Sequence, residues 1–174
     1  VPAQNLIYAD TDGNIGYQTP GRLPIRGAGD GWLPQPGWDS AYDWQGFIPF
    51  EELPVVYNPD AGYIVTANNA IVDDSYAHFL SRDWDYGYRA ARIMHMIERR
   101  AAAAPLTAQD MREIQADNEM WIGKRLSSEL ADVKSERTEV QTAIDLVRAW
   151  DAQNDAGSDA AAYANVYFAR LTQN

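Results

Sequence analysis

Two adjacent asparagines, Asn68 and Asn69, follow a short apolar run in the segment GYIVTANNAIVDD, residues 62–74. The residues before them, Tyr63 to Thr66, are typical of a β-strand, whereas asparagine is uncommon in strands and frequent in turns. Two interpretations are therefore open. In the first, the strand simply ends in a turn. In the second, a side-chain amide is presented at the mouth of a site.

Few other residues indicate catalysis by themselves. His78 and His95 have no partner at a spacing typical of a metal or catalytic site, so we interpret both as structural. The sequence contains no Gly-x-Ser-x-Gly, Walker, His-Glu-x-x-His or Gly-x-Gly-x-x-Gly motif. The absence of cysteine excludes disulfides, thiolate nucleophiles and cysteine-based zinc sites. The acidic pairs Asp73/Asp74 and Asp83/Asp85 lack the spacing of an EF-hand and are interpreted as solvated carboxylates.

Composition narrows the classes of partner. The chain has 174 residues, 46% of them hydrophobic, which is enough for about one folded domain. Its net charge of −11 argues against a nucleic-acid partner, because phosphates require a basic surface. No apolar stretch is long enough to span a membrane, and no signal-peptide pattern is present. Five arginines of the middle third are the local exception to the acidity: Arg82, Arg89, Arg92, Arg99 and Arg100.

The predicted secondary structure that positions the candidate site residues changes from strands to helices near residue 80. Residues 5–19 predict a β-hairpin around Asp12-Gly13, and residues 54–68 predict a strand, a Pro-Asp-Ala-Gly turn and a second strand. Between them, residues 20–50 are rich in Gly, Pro and Trp and predict a long irregular segment. The aromatic residues of that segment are compatible with a carbohydrate- or acyl-binding wall, or simply with packing against a core; they are Trp32, Trp38, Tyr42, Trp44 and Phe47.

The second part of the chain is helical by its apolar spacing. Four helices are predicted: from Asp83 through Ile97, from a Thr107/Asp110 capping box through Trp121, from Val140 to Trp150, and from Ala161 to Leu171. Strands followed by helices predict the α+β class. We therefore expect a β-rich part, residues 1–80, and a helical part, residues 81–174, within one incomplete domain.

Several sequence blocks, taken in order, resemble the β subunit of the penicillin acylase family. This family includes the penicillin amidases, the acyl-homoserine-lactone acylases and the glutaryl/cephalosporin acylases. The resemblance covers nearly the whole chain, and the order of the blocks is more specific than any one of them. The blocks are DGNIG (12–16), LPQPG (33–37), DWQGFIPFE (43–51), NPDAGYI (58–64), the asparagine pair, and DYGYRAARI (85–93).

The resemblance implies an amidohydrolase with an N-terminal nucleophile and a fragment of the αββα layered fold. In that family a precursor cleaves itself, and a new N-terminal serine attacks an amide with its own α-amino group as the base. Val1 carries no hydroxyl, so the nucleophile is expected outside this chain, and the chain alone is expected to be an inactive fragment. The expected partners are the rest of the β chain, an α chain from the same precursor and a small acyl amide substrate. Export to the periplasm or medium is expected.

The resemblance also assigns site residues. Asn68 falls on the asparagine that stabilises the oxyanion, and Asn69 would support the loop. Arg89 falls on the arginine that orients the site, with Arg92 as the alternative. No cofactor or metal is expected; a structural calcium of the family is left open, because Asp73 or Asp74 would have to replace an absent carboxylate in residues 76–79. The alternative function is a non-catalytic binding or scaffold module derived from the acylase fold.

Overall fold

The structure is a computed structural model that describes residues 4–172. Val1, on which the argument about the nucleophile rests, lies outside these residues. The chain divides into two compact units, with the boundary between Ala90 and Ala91. The first unit contains the strands and the second contains most of the helical residues. No helix within residues 4–172 is long and apolar enough to cross a membrane.

Five short strands form two antiparallel sheets in the first unit. The strands are β1 (Leu6–Ala9), β2 (Ile15–Gln18), β3 (Pro24–Arg26), β4 (Trp44–Phe47) and β5 (Val55–Tyr57). One sheet has the order β1-β2-β5, and β3 pairs with β4 in the other. The predicted hairpin is confirmed, with Leu6 opposite Gln18 and Ala9 opposite Ile15. Its loop is closed by the Asp10 carboxylate, which accepts hydrogen bonds from the backbone N–H groups of Asp12 and Asn14.

The prediction that residues 20–50 are irregular was wrong in part, although residues 27–39 contain no helix or strand. Residues 20–50 include the β3–β4 sheet and a 3-10 turn at Ser40–Tyr42. Strands of three and four residues are too short to show an alternating pattern, and the register shifts between Ile25 and Arg26. The Gly and Pro content that indicated a loop instead belongs to the turns around this small sheet.

The predicted strand Tyr63–Thr66 was also wrong, although the turn before it is present. The N–H of Gly62 donates to the carbonyl of Pro59 at 2.8 Å, with Gly62 at φ +73°. After that turn, residues 63–66 pair with no described strand, and a strand needs a neighbour to satisfy its backbone. Residues 58–87 contain no helix or strand, and we call them the connecting segment.

The first unit has a small core. Its buried residues include Tyr17, Ile48 and Leu53, together with Thr19, whose hydroxyl lies 2.6 Å from the Tyr17 hydroxyl. By contrast, every residue of β1 and β5 is exposed. Only β2, at the centre of its sheet, contributes two consecutive buried residues.

The second unit is built on helices. They are α1 (Tyr88–Ala101), α2 (Ala108–Gln115), α3 (Trp121–Glu129), α4 (Thr138–Arg148) and α5 (Asp159–Leu171). The buried hydrophobic residues are Met96, Ile97, Ile144, Val147, Ala152, Ala160, Ala161 and Ala164. Helix α5 packs against α4, and three of its alanines are buried: Ala160, Ala161 and Ala164. The predicted helix at 161–171 is confirmed, and Ser158 caps α5. The helix predicted at 140–150 is also present, but it ends at Arg148 and does not include Trp150.

Two further predicted helix boundaries were wrong. Helix α1 begins at Tyr88 rather than Asp83, because Gly87 at φ +84° is not helical. The capping box of Thr107 and Asp110 is confirmed, but its helix ends at Gln115 and does not reach Trp121. Residues 117–120 are not helical, because they form hydrogen bonds with distant residues. The N–H of Met120, for example, donates to the carbonyl of Ala152 at 2.8 Å. Helix α3 then starts at Trp121 and was not predicted.

Candidate active site

Asn68 lies in a tight bend of the connecting segment. Its φ of +63° is in the left-handed region, which asparagine tolerates better than most residues. Asn69 holds the bend, since its Oδ1 accepts from the N–H of Ala67 at 3.1 Å and its Nδ2 donates to the carbonyl of Ala70 at 3.0 Å. The N–H of Asp85 donates to the carbonyl of Asn68 at 2.8 Å. These bonds fix the backbone while the Asn68 side chain stays exposed.

Arg89 reaches the same bend from the first turn of α1. Its Nη2 donates to the carbonyl of Ala67 and to Oδ1 of Asn68, both at 2.9 Å. Asp85 holds the guanidinium, because its Oδ2 accepts from Nε at 3.3 Å and from Nη2 at 3.2 Å. Asp85 is itself fixed by the N–H of Gly87, which donates to Oδ1 at 3.0 Å. The structure therefore brings together the two predicted site residues, Asn68 and Arg89.

The contact with Arg89 determines the orientation of the Asn68 amide. A guanidinium has only donors, so the amide oxygen must face Arg89 and the NH₂ group must point away from it. No described residue accepts a hydrogen bond from Nδ2 of Asn68, whose side chain is exposed. A hydrogen bond from a cation to the amide oxygen also strengthens the N–H as a donor. The arrangement is a fixed, oriented N–H donor that is free to bind an oxyanion.

Sequence reasoning missed Asp85 as part of this cluster. Asp85 had been interpreted as a solvated carboxylate, yet it binds both the backbone N–H of Gly87 and the side chain of Arg89. Its spacing gave no reliable signal: Asp85 is four positions before Arg89, but it precedes α1, which begins at Tyr88, so the helical i,i+4 rule does not apply to this pair.

Arg92, the alternative to Arg89, lies in a different environment. Its guanidinium donates to both carboxylate oxygens of Asp117, at 2.9 and 2.6 Å, and lies 3.2 Å from Glu119. The side chains of all three residues are 11–16% exposed. The hydrogen bond from Arg92 and its charge lower the pKa of Asp117, and the bond to Asp117 raises the pKa of Arg92. Within the described residues, the recorded polar partners of Arg92 belong to the second unit, and none is Asn68.

His78, His95 and Asp73 have protein partners. Nε2 of His78 lies 2.5 Å from a carboxylate oxygen of Glu52, and the ring of His95 lies 5.2 Å from that of Trp121. Oδ1 of Asp73 accepts from both N–H and Oγ of Ser75, which lowers the pKa of Asp73. Among residues 4–172, no three His, Asp or Glu side chains are grouped so as to hold a metal ion.

With this geometry established, comparison with known proteins decides the family. A sequence model of a family described as penicillin amidase matches residues 1–174. The chain belongs to the penicillin amidase family. The predicted resemblance is thus confirmed, and the site described above lies within a member of this family.

The relatives of this chain include proteins named as penicillin acylases and proteins named as acyl-homoserine lactone acylases. The penicillin acylase 2 proenzyme of Pseudomonas sp. (strain SE83) is 37% identical over 171 residues, which cover 97% of this chain and 22% of that protein. The acyl-homoserine lactone acylase QuiP of Pseudomonas aeruginosa is 32% identical over 174 residues, covering 91% of this chain and 20% of that protein. The chain therefore spans about a fifth of the length of these relatives.

A solved structure of this family has the same fold. The thermostable penicillin G acylase from Alcaligenes faecalis superimposes with a TM-score of 0.60 at 28% identity, over 88% of this chain and 28% of that one. The predicted α+β class, as part of the fold with an N-terminal nucleophile, is confirmed by this similarity.

Proposed function

We propose that this chain is the part of a penicillin acylase-like amidohydrolase that supplies the side-chain donor of the oxyanion hole. The observation that carries the proposal is the 2.9 Å hydrogen bond from Nη2 of Arg89 to Oδ1 of Asn68. It turns the Asn68 N–H outward, as the stabilisation of a tetrahedral oxyanion requires. Membership of the penicillin amidase family supports the reaction class.

In the proposed reaction, the rest of the enzyme supplies the nucleophile and the base, and this chain supplies the oxyanion donor. A serine at a new N-terminus, outside this sequence, attacks the amide carbon while its α-amino group takes the hydroxyl proton. The carbonyl electron pair moves onto oxygen, and Nδ2–H of Asn68 donates to that oxyanion. Collapse of the intermediate expels the amine, which takes the proton, and water then hydrolyses the acyl-serine ester through a second oxyanion. Arg89 and Asp85 keep the donor in place through both steps. No step uses a metal.

The substrate and partners follow from the same proposal. Relatives of this chain are named for penicillin and for acyl-homoserine lactones, so the substrate class is a small amine that carries an acyl group in amide linkage. The partners are the rest of the β chain and an α chain from one precursor. A relative is named as a proenzyme, which supports processing. We also propose that the mature enzyme is exported.

The test uses the full-length precursor that contains this chain and a chromogenic acyl-amide substrate. The first variant, Asn68→Ala, removes the donor; a lost oxyanion donor lowers kcat by about 10²- to 10³-fold. The second variant, Asn68→Asp, keeps an oxygen for Arg89 but has no N–H, so it should lose as much activity as the alanine variant. The matched control is Arg99→Ala, an exposed arginine on α1.

The outcomes distinguish a catalytic role for this chain from a non-catalytic module that has only inherited the acylase fold. Parallel loss of kcat in both Asn68 variants, with the control at the wild-type value, supports the proposal. Wild-type kcat in Asn68→Asp would contradict the donor role. A precursor that neither matures into two chains nor hydrolyses any acyl amide would instead favour the non-catalytic binding module.

A further inference from the structure

The connecting segment carries Asn68 but lacks regular secondary structure, so its position depends on side-chain contacts. Near Asn68, Nδ2 of Asn5 donates to Oγ1 of Thr66 at 2.7 Å, and Arg89 holds Ala67. Farther along, the only described attachments to the 3-10 turn Phe50–Glu52 are made by Tyr76 and His78. The segment is therefore fixed at separate points, with Asn68 close to one of them.

Glu52 receives both of these later contacts. The Tyr76 hydroxyl donates to the carbonyl of Glu52 at 2.8 Å, and Nε2 of His78 lies 2.5 Å from Oε2 of Glu52. The rings of Tyr76 and His78 meet edge to face at 5.7 Å, so the two side chains support each other. Glu52 is rigidly carried, because Leu53, the next residue, is 3% exposed in the core of the first unit. We call Glu52, Tyr76 and His78 the clasp.

Apolar packing does not replace the clasp at this place. Ala77, His78 and Phe79 line a cavity of about 210 Å³, whose opposite side includes Ile25 and Ile48. This cavity is open to solvent, so apolar packing does not fully cover the stretch. The hydrogen bonds to Glu52 therefore help to hold it, together with the ion pair between Arg82 and Asp30 farther along the segment.

We propose that His78, through its bond to Glu52, is a positioning residue for the Asn68 donor. The inference rests on the proposed function. The clasp residues Tyr76 and His78 lie eight and ten positions after Asn68 in the sequence. Between them, the N–H of Tyr76 donates to the carbonyl of Asp73, and the Asn69 side chain closes the bend beside Asn68. Release of the clasp lets residues 69–79 move away from the core. The bend that carries Asn68 then loses its fixed position, so the donor that Arg89 orients is displaced.

The test combines kinetics and hydrogen exchange on the full precursor. The variant His78→Ala should lower kcat by about tenfold to a hundredfold with KM nearly unchanged, because a misplaced donor weakens only transition-state binding. His78→Gln, whose side-chain amide can still donate to Glu52, should recover most of the loss. In an Asn68→Ala background, His78→Ala should have no further effect on kcat. The control is Glu113→Ala, which removes an ion pair with Arg100 in the second unit.

Amide exchange keeps this inference separate from the proposed function. In His78→Ala, the amides of residues 67–79 should exchange at least about tenfold faster, while those of α4 and α5 stay unchanged, which also verifies folding. If the wild-type precursor has no amidase activity, the proposed function fails, and faster exchange in residues 67–79 still supports the clasp. Unchanged exchange in that stretch would overturn the clasp. So would equal kcat losses from His78→Ala in the presence and absence of Asn68, because they would show that His78 does not act through the donor.

Discussion

Different interactions stabilise the interior of the strand-rich first unit and the interior of the helical second unit. In the second unit, valine, isoleucine and alanine side chains are buried between α4 and α5, and Val147 and Ala164 are fully buried. In the first unit, β1 and β5 are exposed along their whole length, and polar side chains join distant residues. Asn58, for example, accepts from the N–H of Ile15 and donates to Asn14, both at 2.9 Å.

The difference explains why the candidate site lies in the first unit. A helix satisfies its own backbone, so burial of an apolar face is enough to place it. A connecting segment has no such internal pattern, and each of its bends depends on a particular side chain. Those same bends can hold a polar group in a fixed direction toward solvent, as the Asn68 bend does. The predictions that follow change one kind of interaction at a time.

The largest expected effect is in Arg92→Ala, which tests whether the second unit depends only on its apolar core. The substitution removes the hydrogen-bonded cation of Asp117 and leaves Glu119 with Lys124 alone, while both carboxylates are largely buried. Breaking such a pair should lower the free energy of unfolding by about 3 kcal/mol. Amide exchange in α1 and α3 measures it, with Arg99→Ala as the control on the same helix. A loss of kcat at unchanged stability would instead restore Arg92 as a site residue.

Val147→Ala measures the apolar core itself. The side chain is fully buried on α4, so the loss of two methyl groups and the remaining cavity should reduce the free energy of unfolding by about 2 kcal/mol. The matched control is Leu146→Ala, at the adjacent position and 37% exposed. Urea denaturation followed by amide exchange in α4 and α5 compares the two. Equal losses would contradict the view that burial at Val147 organises this unit.

Asn58→Ala is the corresponding change in the first unit. It removes two side-chain hydrogen bonds and places alanine at φ +47°, which together should cost about 1.5 kcal/mol. Asn58→Gly separates the two contributions, because glycine accepts this φ but makes no side-chain bond. Exchange of the amides in β2 and β5 reports the effect. If the glycine variant is as stable as the wild type, the polar contacts of Asn58 do not stabilise this unit.

Helix positions in the second unit could be predicted from sequence, because they follow from local patterns. The spacing of Ile144 and Val147 and the Thr107/Asp110 capping box each lie within one or two turns. Where long-range hydrogen bonds determine the end of an element, the prediction from sequence failed. The helix after Thr107 stops because residues 117–120 bond to distant partners. The same reason accounts for the missed β3–β4 sheet, whose strands are identified only by each other.

The candidate site was predicted through family resemblance and not through local pattern. Asn68 and Arg89 are far apart in sequence, and no spacing rule connects them; only matching blocks placed both. The orientation of the amide and the clasp at Glu52 depend on side-chain geometry that no sequence pattern encodes. The same holds for Asp85, which lies before the first residue of α1 and pairs with Arg89 through the geometry of the loop.

The smallest expected effect compares one carboxylate in each unit. The pKa of Asp10 is lowered to about 2 by hydrogen bonds from Tyr8 and Asn14, and that of Asp110 to about 2 by hydrogen bonds from Thr107 and by Arg100. A lowered carboxyl pKa contributes stability above the ordinary value near 4, and that stability is lost as the pH falls toward 2. Asp10→Asn and Asp110→Asn should therefore each flatten the pH dependence of stability between pH 4 and 2 in their own unit.

Salt distinguishes the two carboxylates, which makes this the sharpest comparison of the units. Asp110 has a charged partner, Arg100, whereas the pKa of Asp10 is lowered by hydrogen bonds from uncharged groups. Salt screens charges at exposed sites and leaves short neutral hydrogen bonds nearly unchanged. We therefore expect added salt to raise the pKa of Asp110 more than that of Asp10 in an NMR titration of the side-chain carboxyl carbons. Equal shifts would mean that charge pairing does not distinguish the helical unit from the strand-rich one.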